Sequence, residues 1–125
     1  MKIRVYYEDT DSGGIVYHSN YLNFCERARS EIFFKENIDI FNAQLGSFVL
    51  TKANCEFLYS AKLGDLVEVT TRIVQLKNVS VILEQEITRE NKKLFRAQFT
   101  LAFVKNAKPI KMPQEIKDLF EKLLI

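Results

Sequence analysis

A chain of 125 residues, 47% of them hydrophobic, has the size of one domain and can bury a single core without disulfide or metal staples. Ten Phe and five Tyr beside only four Gly and two Pro exclude a disordered or low-complexity chain. The formal charge of +2, from 18 basic and 16 acidic residues spread along the length, leaves no basic face for a phosphate polymer, so nucleic acid is not an expected partner.

Cys25 and Cys55 are far apart and belong to no CxxC or His-rich spacing, which signals neither a disulfide scaffold nor a metal site and suits buried thiols in a reducing compartment. Charged residues interrupt the N-terminal segment, and no apolar run approaches the ~18 residues that a membrane span needs. The expectation is a cytoplasmic protein without membrane insertion, consisting of one domain over residues 1–125. The glycosylation-type triplet Asn78-Val79-Ser80 carries no weight in such a chain.

In chain order, the short apolar and aromatic run Ile3 to Tyr7 predicts a first strand that ends where an acidic loop begins. Ser19 and Asn20 are N-cap types, and Tyr21, Cys25, Ala28 and Ile32 fall on one helical stripe, predicting a helix from about Asn20 to Glu36. Leu22, Phe24, Phe33 and Phe34 add apolar surface beyond that stripe, so the helix should be wrapped on most of its circumference. A connector from Asn37 to Gly46, with one helical turn around Phe41 to Leu45, leads to a strand over Phe48 to Tyr59.

Period-two alternation then marks strands at Leu66 to Leu76 and Val79 to Ile87, joined by a tight Lys77-Asn78 turn. After a reversal at Glu90 to Lys93, Phe95, Ala97, Phe99, Leu101 and Phe103 share one face of another strand. Pro113 suits a first helical position, and Ile116, Leu119, Phe120, Leu123 and Leu124 form the apolar side of a terminal helix. These elements give an α+β layout in which an antiparallel sheet of about five strands curls round one long central helix, with a short C-terminal helix.

The acidic loop Asp9-Thr10-Asp11-Ser12-Gly13-Gly14 admits several chemistries. An EF-hand fails because its fifth and twelfth places hold Gly13 and Asn20. An Asp-x-Asp phosphotransferase nucleophile needs a parallel α/β core, which an antiparallel meander does not supply. What remains is a carboxylate beside a helix start: Gly13 and Gly14 let the backbone approach a ligand closely, and unpaired helix amides suit a developing oxyanion. Taken alone, Asp11 reads more readily as a turn carboxylate than as a catalytic group, since Asp favours such loops.

Tyr7-Glu8-Asp9-Thr10-Asp11, then Gly14-Ile15-Val16-Tyr17-His18-Ser19-Asn20-Tyr21, then Glu26-Arg27-Ala28-Arg29 resembles the YbgC branch of the hotdog-fold acyl-CoA thioesterases, relatives of 4-hydroxybenzoyl-CoA thioesterase. The resemblance implies hydrolysis of acyl-coenzyme A, with Asp11 at the catalytic carboxylate position, His18 beneath the thioester carbonyl and Tyr7 as a further group around the carboxylate. It implies substrate contacts at Gly14, Val16 and Tyr17, and coenzyme A contacts from the hairpin that carries Lys77, Asn78 and Ser80. No metal or other cofactor is implied. The family also implies sites shared between two subunits, commonly in a dimer of dimers, and the branch is associated with the Tol-Pal cluster and with acyl carrier protein as a partner.

On this reading the His18 amide polarises the carbonyl, and Asp11 acts either as general base or as nucleophile; the His18 imidazole and the Tyr7 hydroxyl orient it. Asp9 shapes the loop, and Glu8 is solvated. Cys25, two turns after His18, is read as a packed and inert thiol rather than a nucleophile. A non-catalytic acyl or carrier-protein binding module and a hydratase are the competing functions; the first has no use for an ionised carboxylate beside a thioester, and the second uses a closer Asp and His spacing.

Overall fold

The structure, a computed structural model, describes residues 1–39 and 44–124. Among them the elements run β1 (Lys2–Arg4), a 3-10 turn (Tyr7–Asp9), α1 (His18–Lys35), β2 (Ser47–Phe57), β3 (Leu66–Leu76), β4 (Ser80–Arg89), β5 (Lys92–Lys105), β6 (Lys108–Pro109) and α2 (Gln114–Glu121). The helical turn expected around Phe41 to Leu45 falls mainly on residues 40–43, outside the described residues.

The strands form one antiparallel sheet in the order β1-β3-β4-β5-β2, with β6 added to β5. Alternation decides which side faces in. Phe95, Ala97, Phe99, Leu101 and Phe103 of β5 are all buried, as are Val67, Val69 and Ile73 of β3 and Val81, Leu83 and Ile87 of β4. Register shifts at Leu50/Lys52, Ile73/Gln75 and Ile87/Thr88 mark bulges, which increase twist and help the sheet curl. The curled face holds α1, and α2 closes the end of the core through Ile116, Leu119 and Phe120. This is the α+β hotdog arrangement.

Tyr21, Phe24, Cys25 and Ala28 of α1 are buried against the sheet, with Ile32 half-buried. One polar group joins the two layers. Gln85, fully buried on β4 in a position that alternation reserves for an apolar residue, donates from Nε2 to the Cys25 carbonyl at 3.0 Å and to Thr71 Oγ1 at 2.9 Å. Its Oε1 accepts from Arg29 Nη1 at 2.8 Å, and the Arg29 guanidinium lies 4.8 Å above the Phe99 ring. Every polar atom of the amide is thereby used, which is what a buried amide requires.

Four sequence expectations need correction. The helix opens at His18, two residues early, with Tyr17 in the N-cap place; Ser19 and Asn20 do not cap it, and the Asn20 side chain turns to Asp9 instead. The first strand stops at Arg4; the Val5 N–H still reaches the Asp65 carbonyl, but the chain then leaves the sheet, so Tyr7 stands on a 3-10 turn rather than at a strand end. Pro113 is the N-cap of α2, with extended ψ of 143°, rather than its first helical residue. Finally, α1 is not wrapped on most sides within one subunit: Asn23, Glu26 and Arg27 are exposed, and Phe34 is 47% exposed.

Gly46, at φ +123° just before β2, touches the packed end of the sheet. A Cβ there would lie 2.7 Å from Phe103 Cε2 and 2.8 Å from the Val104 carbonyl oxygen. Gly46→Ala should therefore destabilise the fold by about 2 kcal/mol or more, combining overpacking with a left-handed φ, measurable as a lower midpoint in urea unfolding.

Candidate active site

Backbone hydrogen bonds build the acidic loop. Thr10 and Val16 form an isolated antiparallel bridge, the Asp11 N–H donates to the Ile15 carbonyl at 2.9 Å, and the Gly14 N–H donates to the Asp11 carbonyl at 3.1 Å. A narrow hairpin results, with Asp11 at its tip. Gly14 turns the chain at φ +79°. Gly13 serves differently: its N–H donates to Asp11 Oδ1 at 2.8 Å, and a Cβ on it would stand 3.2 Å from that same oxygen.

The two aspartates have opposite environments. Asp9 is 4% exposed and spends both oxygens on structure, Oδ2 accepting the Tyr6 N–H at 2.9 Å and Oδ1 accepting Asn20 Nδ2 at 3.0 Å. It ties the loop to the first turn of α1. Asp11 is exposed, and among the described residues only the Gly13 N–H donates to its side chain, so Oδ2 is open to a ligand or water.

The hairpin hands the chain directly to α1. The Tyr17 N–H donates to the Asp9 carbonyl at 3.0 Å, and the helix entrance has no side-chain cap, so its first amides remain available at the positive end of the dipole. His18 is exposed there, 4.2 Å from the Tyr17 ring and edge-on to Phe57 at 6.4 Å. One turn later the buried Tyr21 lies parallel on Phe95 at 5.2 Å, and its hydroxyl accepts the Ala61 N–H at 3.0 Å. Burial pushes this phenol above its ordinary range, against the opposing effects of the Ala61 N–H and the Arg89 charge.

The turn at residues 60–65 supports both halves. Ala61 accepts the Val16 N–H at 2.9 Å, Lys62 bridges Ile15, and Gly64 N–H donates to the Val5 carbonyl at 2.9 Å. Asp65 Oδ2 receives the Lys62 N–H at 2.8 Å and Arg89 Nη1 at 2.5 Å. Burial alone would raise the Asp65 carboxyl; the Lys62 N–H, the Arg89 hydrogen bond and the two positive charges outweigh it and hold the group below its ordinary range.

Asp11, Gly14, Tyr17 and His18 thus sit at one end of the subunit, on the hairpin and the helix entrance it feeds. Val16 belongs to the same segment, but its side chain is 3% exposed and packs in the core. Tyr7 is 82% exposed, and no hydrogen bond among the described residues joins it to Asp11 or His18. Lys77, Asn78 and Ser80 lie elsewhere. Asn78 is held by Lys117 at 2.7 Å and by the Met112 N–H, beside α2, whereas the other end of β4 reaches Ser60 and Asp65 through Arg89. Ten residues of extended strand separate these ends by about 30 Å, so the Lys77 turn does not meet His18 within one subunit.

Cys25 is fully buried, and desolvation pushes its thiol up to about 12 despite the nearby Arg29, which leaves it unreactive. Phe57, Tyr21 with Ala61, and Asp65 with Arg89 were not singled out by the sequence, because each acts through a contact between distant segments. No group of three or more His, Cys, Asp or Glu side chains placed to hold a metal occurs among the described residues, and none of their helices is long and apolar enough to cross a membrane.

A family model described as Thioesterase superfamily matches residues 13–95. The Helicobacter pylori protein named acyl-CoA thioesterase YbgC is 42% identical over 130 residues, covering 95% of this chain and 97% of its own. The Haemophilus influenzae protein of the same name is 37% identical over 126 residues, covering 97% and 93%. Among solved structures, a probable thioesterase from Bartonella henselae superposes with a TM-score of 0.84 at 31% identity, covering 90% of this chain and 97% of that one. The match over most of the chain, on top of a hotdog sheet with an acidic hairpin at the helix entrance, means that this chain belongs to the hotdog-fold thioesterase superfamily, alongside the YbgC acyl-CoA thioesterases.

Proposed function

We propose that the protein hydrolyses acyl-coenzyme A to the free acid and coenzyme A, with Asp11 as its working carboxylate. The observation that carries this reading is the pairing of an exposed Asp11, fixed through Oδ1 by the Gly13 N–H, with an uncapped α1 entrance one short hairpin away. The relatives named as acyl-CoA thioesterases support the same substrate class. The first amides of α1, His18 foremost, hold the thioester oxygen as it gains negative charge. Asp11 takes a proton from water, hydroxide adds to the carbonyl carbon, and collapse of the tetrahedral intermediate breaks the carbon–sulfur bond and releases the thiolate. In the nucleophilic variant Asp11 adds to the carbonyl carbon, the carbon–sulfur bond breaks to expel the thiolate and leave a mixed anhydride, and water then cleaves that anhydride to the free acid and the restored Asp11 carboxylate. An acyl carrier protein presents the same pantetheine thioester and would engage the same groups.

The site is completed by a second copy of the chain. β2 is an eleven-residue edge strand whose outer side has no partner among the described residues, and Val49, Leu50 and Phe57 on it are 42%, 49% and 53% exposed. So long an apolar edge calls for a partner strand. Pairing β2 with its copy about a two-fold axis would bring the far end of one subunit towards His18 of the other, which is how Lys77, Asn78 and Ser80 could reach coenzyme A. A cleft of about 370 Å3 between α1 and β2, walled by Phe33, Phe48, Leu50 and Leu101, offers apolar room for an acyl tail. A dimer of dimers is the assembly proposed, and the free Cys25 and Cys55 fit a cytoplasmic setting.

Release of free thiol from a panel of acyl-CoA chain lengths tests the reaction. Wild type should turn over at least one chain, and Asp11→Asn should lower kcat by about 10²- to 10⁴-fold with a native circular dichroism spectrum. Near-normal turnover in that variant would remove Asp11 from the chemistry, and no turnover by wild type on any chain would leave an acyl-binding module. Cys25→Ala should keep kcat within about twofold while losing about 1 kcal/mol of stability from the vacated volume; loss of turnover in a folded variant would reopen the thiol. Light scattering at micromolar concentration should give a dimer or a tetramer, and a monomer active at that concentration would refute the shared site.

A further inference from the structure

The 60–65 turn touches no substrate group in the proposed reaction, yet it is bonded to both parts of the site. On one side it meets the acidic hairpin three times: Ala61 accepts the Val16 N–H at 2.9 Å, Lys62 bridges Ile15, and Leu63 N–H approaches the Gly14 carbonyl at 3.5 Å. Ile15 is the residue whose carbonyl receives the Asp11 N–H. On the other side the Ala61 N–H donates to the Tyr21 hydroxyl, fixing the first turn of α1. A shift of this turn therefore moves the carboxylate relative to the helix amides.

What holds the turn is one charged pair. Asp65 closes it on itself by accepting the Lys62 N–H at 2.8 Å, and Arg89 at the end of β4 clasps Asp65 at 2.5 Å while reaching the Ser60 carbonyl at 3.4 Å. Both side chains are about three-quarters buried, with side-chain exposures of 22% and 27%. β4 is an interior strand, hydrogen-bonded to β3 on one side and β5 on the other, so Arg89 is anchored on a strand held from both edges.

We propose that Asp65 and Arg89 are positioning residues for the thioesterase reaction, their ion pair transmitting the fixed geometry of β4 through the 60–65 turn to the Asp11 hairpin and the α1 entrance. This rests on the reading of Asp11 as the working carboxylate. Neither residue contacts the reacting atoms. Their effect is on alignment, where displacement of the order of 1 Å can cost about 100-fold in rate.

The test compares Asp65→Asn, Arg89→Met and Arg89→Lys with wild type in thiol release from acyl-CoA and in hydrogen exchange. Expected are kcat losses of about 10- to 100-fold for Asp65→Asn and Arg89→Met with KM within about threefold, and recovery of most of that loss in Arg89→Lys, which keeps the charge. Amides of Gly14 and Val16 should exchange faster in the first two variants while those of β4 and β5 stay protected. Should Arg89→Met fail to fold, Asp65→Asn and Arg89→Lys carry the comparison. Folded variants with kcat within about twofold of wild type, or with unchanged exchange in the hairpin, overturn the proposal. Wild type without turnover would instead sink the thioesterase reading, and the exchange experiment would still decide whether the pair positions the hairpin.

Discussion

The fit of Tyr21 into the sheet is the constraint from which the site's geometry follows. Its ring lies nearly parallel to Phe95, at 9°, and edge-on to Phe57 at 5.8 Å, while its hydroxyl accepts the Ala61 N–H. One side chain thereby joins helix, two strands and a loop. Because Tyr21 is on the first turn of α1, this contact decides where the helix opens and hence where its free amides point. An aromatic ring with a polar tip is suited to such a place, since the ring supplies apolar area and the hydroxyl satisfies the buried Ala61 N–H.

Against the middle of α1, Gln85 of β4 performs a different task. An apolar residue in its place would bury as much area with no desolvation, and burying polar groups is at best weakly stabilising even when all are paired. Its three hydrogen bonds instead specify one alignment of α1 on the sheet, because Cys25, Arg29 and Thr71 meet the amide only in that register. Apolar contacts tolerate sliding; directed hydrogen bonds do not. The helix is thus fixed axially at two points, Tyr21 near its start and Gln85 near its middle.

The same architecture leaves α1 half covered and β2 at an open edge, so the subunit presents its reactive end beside its least finished surface. Exposed Tyr17 and Phe57 lie on the hairpin and strand end next to His18. An exposed aromatic group of this kind is usual where another surface docks. The division of labour between Asp9 and Asp11 fits that picture: the buried carboxylate builds the loop, and the exposed one is left for chemistry.

Much of this was legible in the linear chain. Period-two alternation in β3, β4 and β5 located those strands, because a residue's side of the pleat is a local property, and the Tyr21, Cys25, Ala28 stripe located α1 for the corresponding helical reason. The glycines and Asp11 marked the loop through local turn preference and motif. The sequence could not place the helix start at His18, since Asn20, a good cap by type, is claimed by Asp9, and that competition is settled only when the hairpin folds back. Alternation puts Gln85 on the inward face with Leu83 and Ile87, but the sequence could not foresee its partners Cys25, Arg29 and Thr71, the Lys77 turn lying at the opposite end of β4 from Arg89, or Arg89 reaching Asp65, because each depends on strand register and on curvature introduced by bulges. Local sterics and hydrophobic period are written residue by residue, whereas the meeting of distant side chains is decided by how the layers pack.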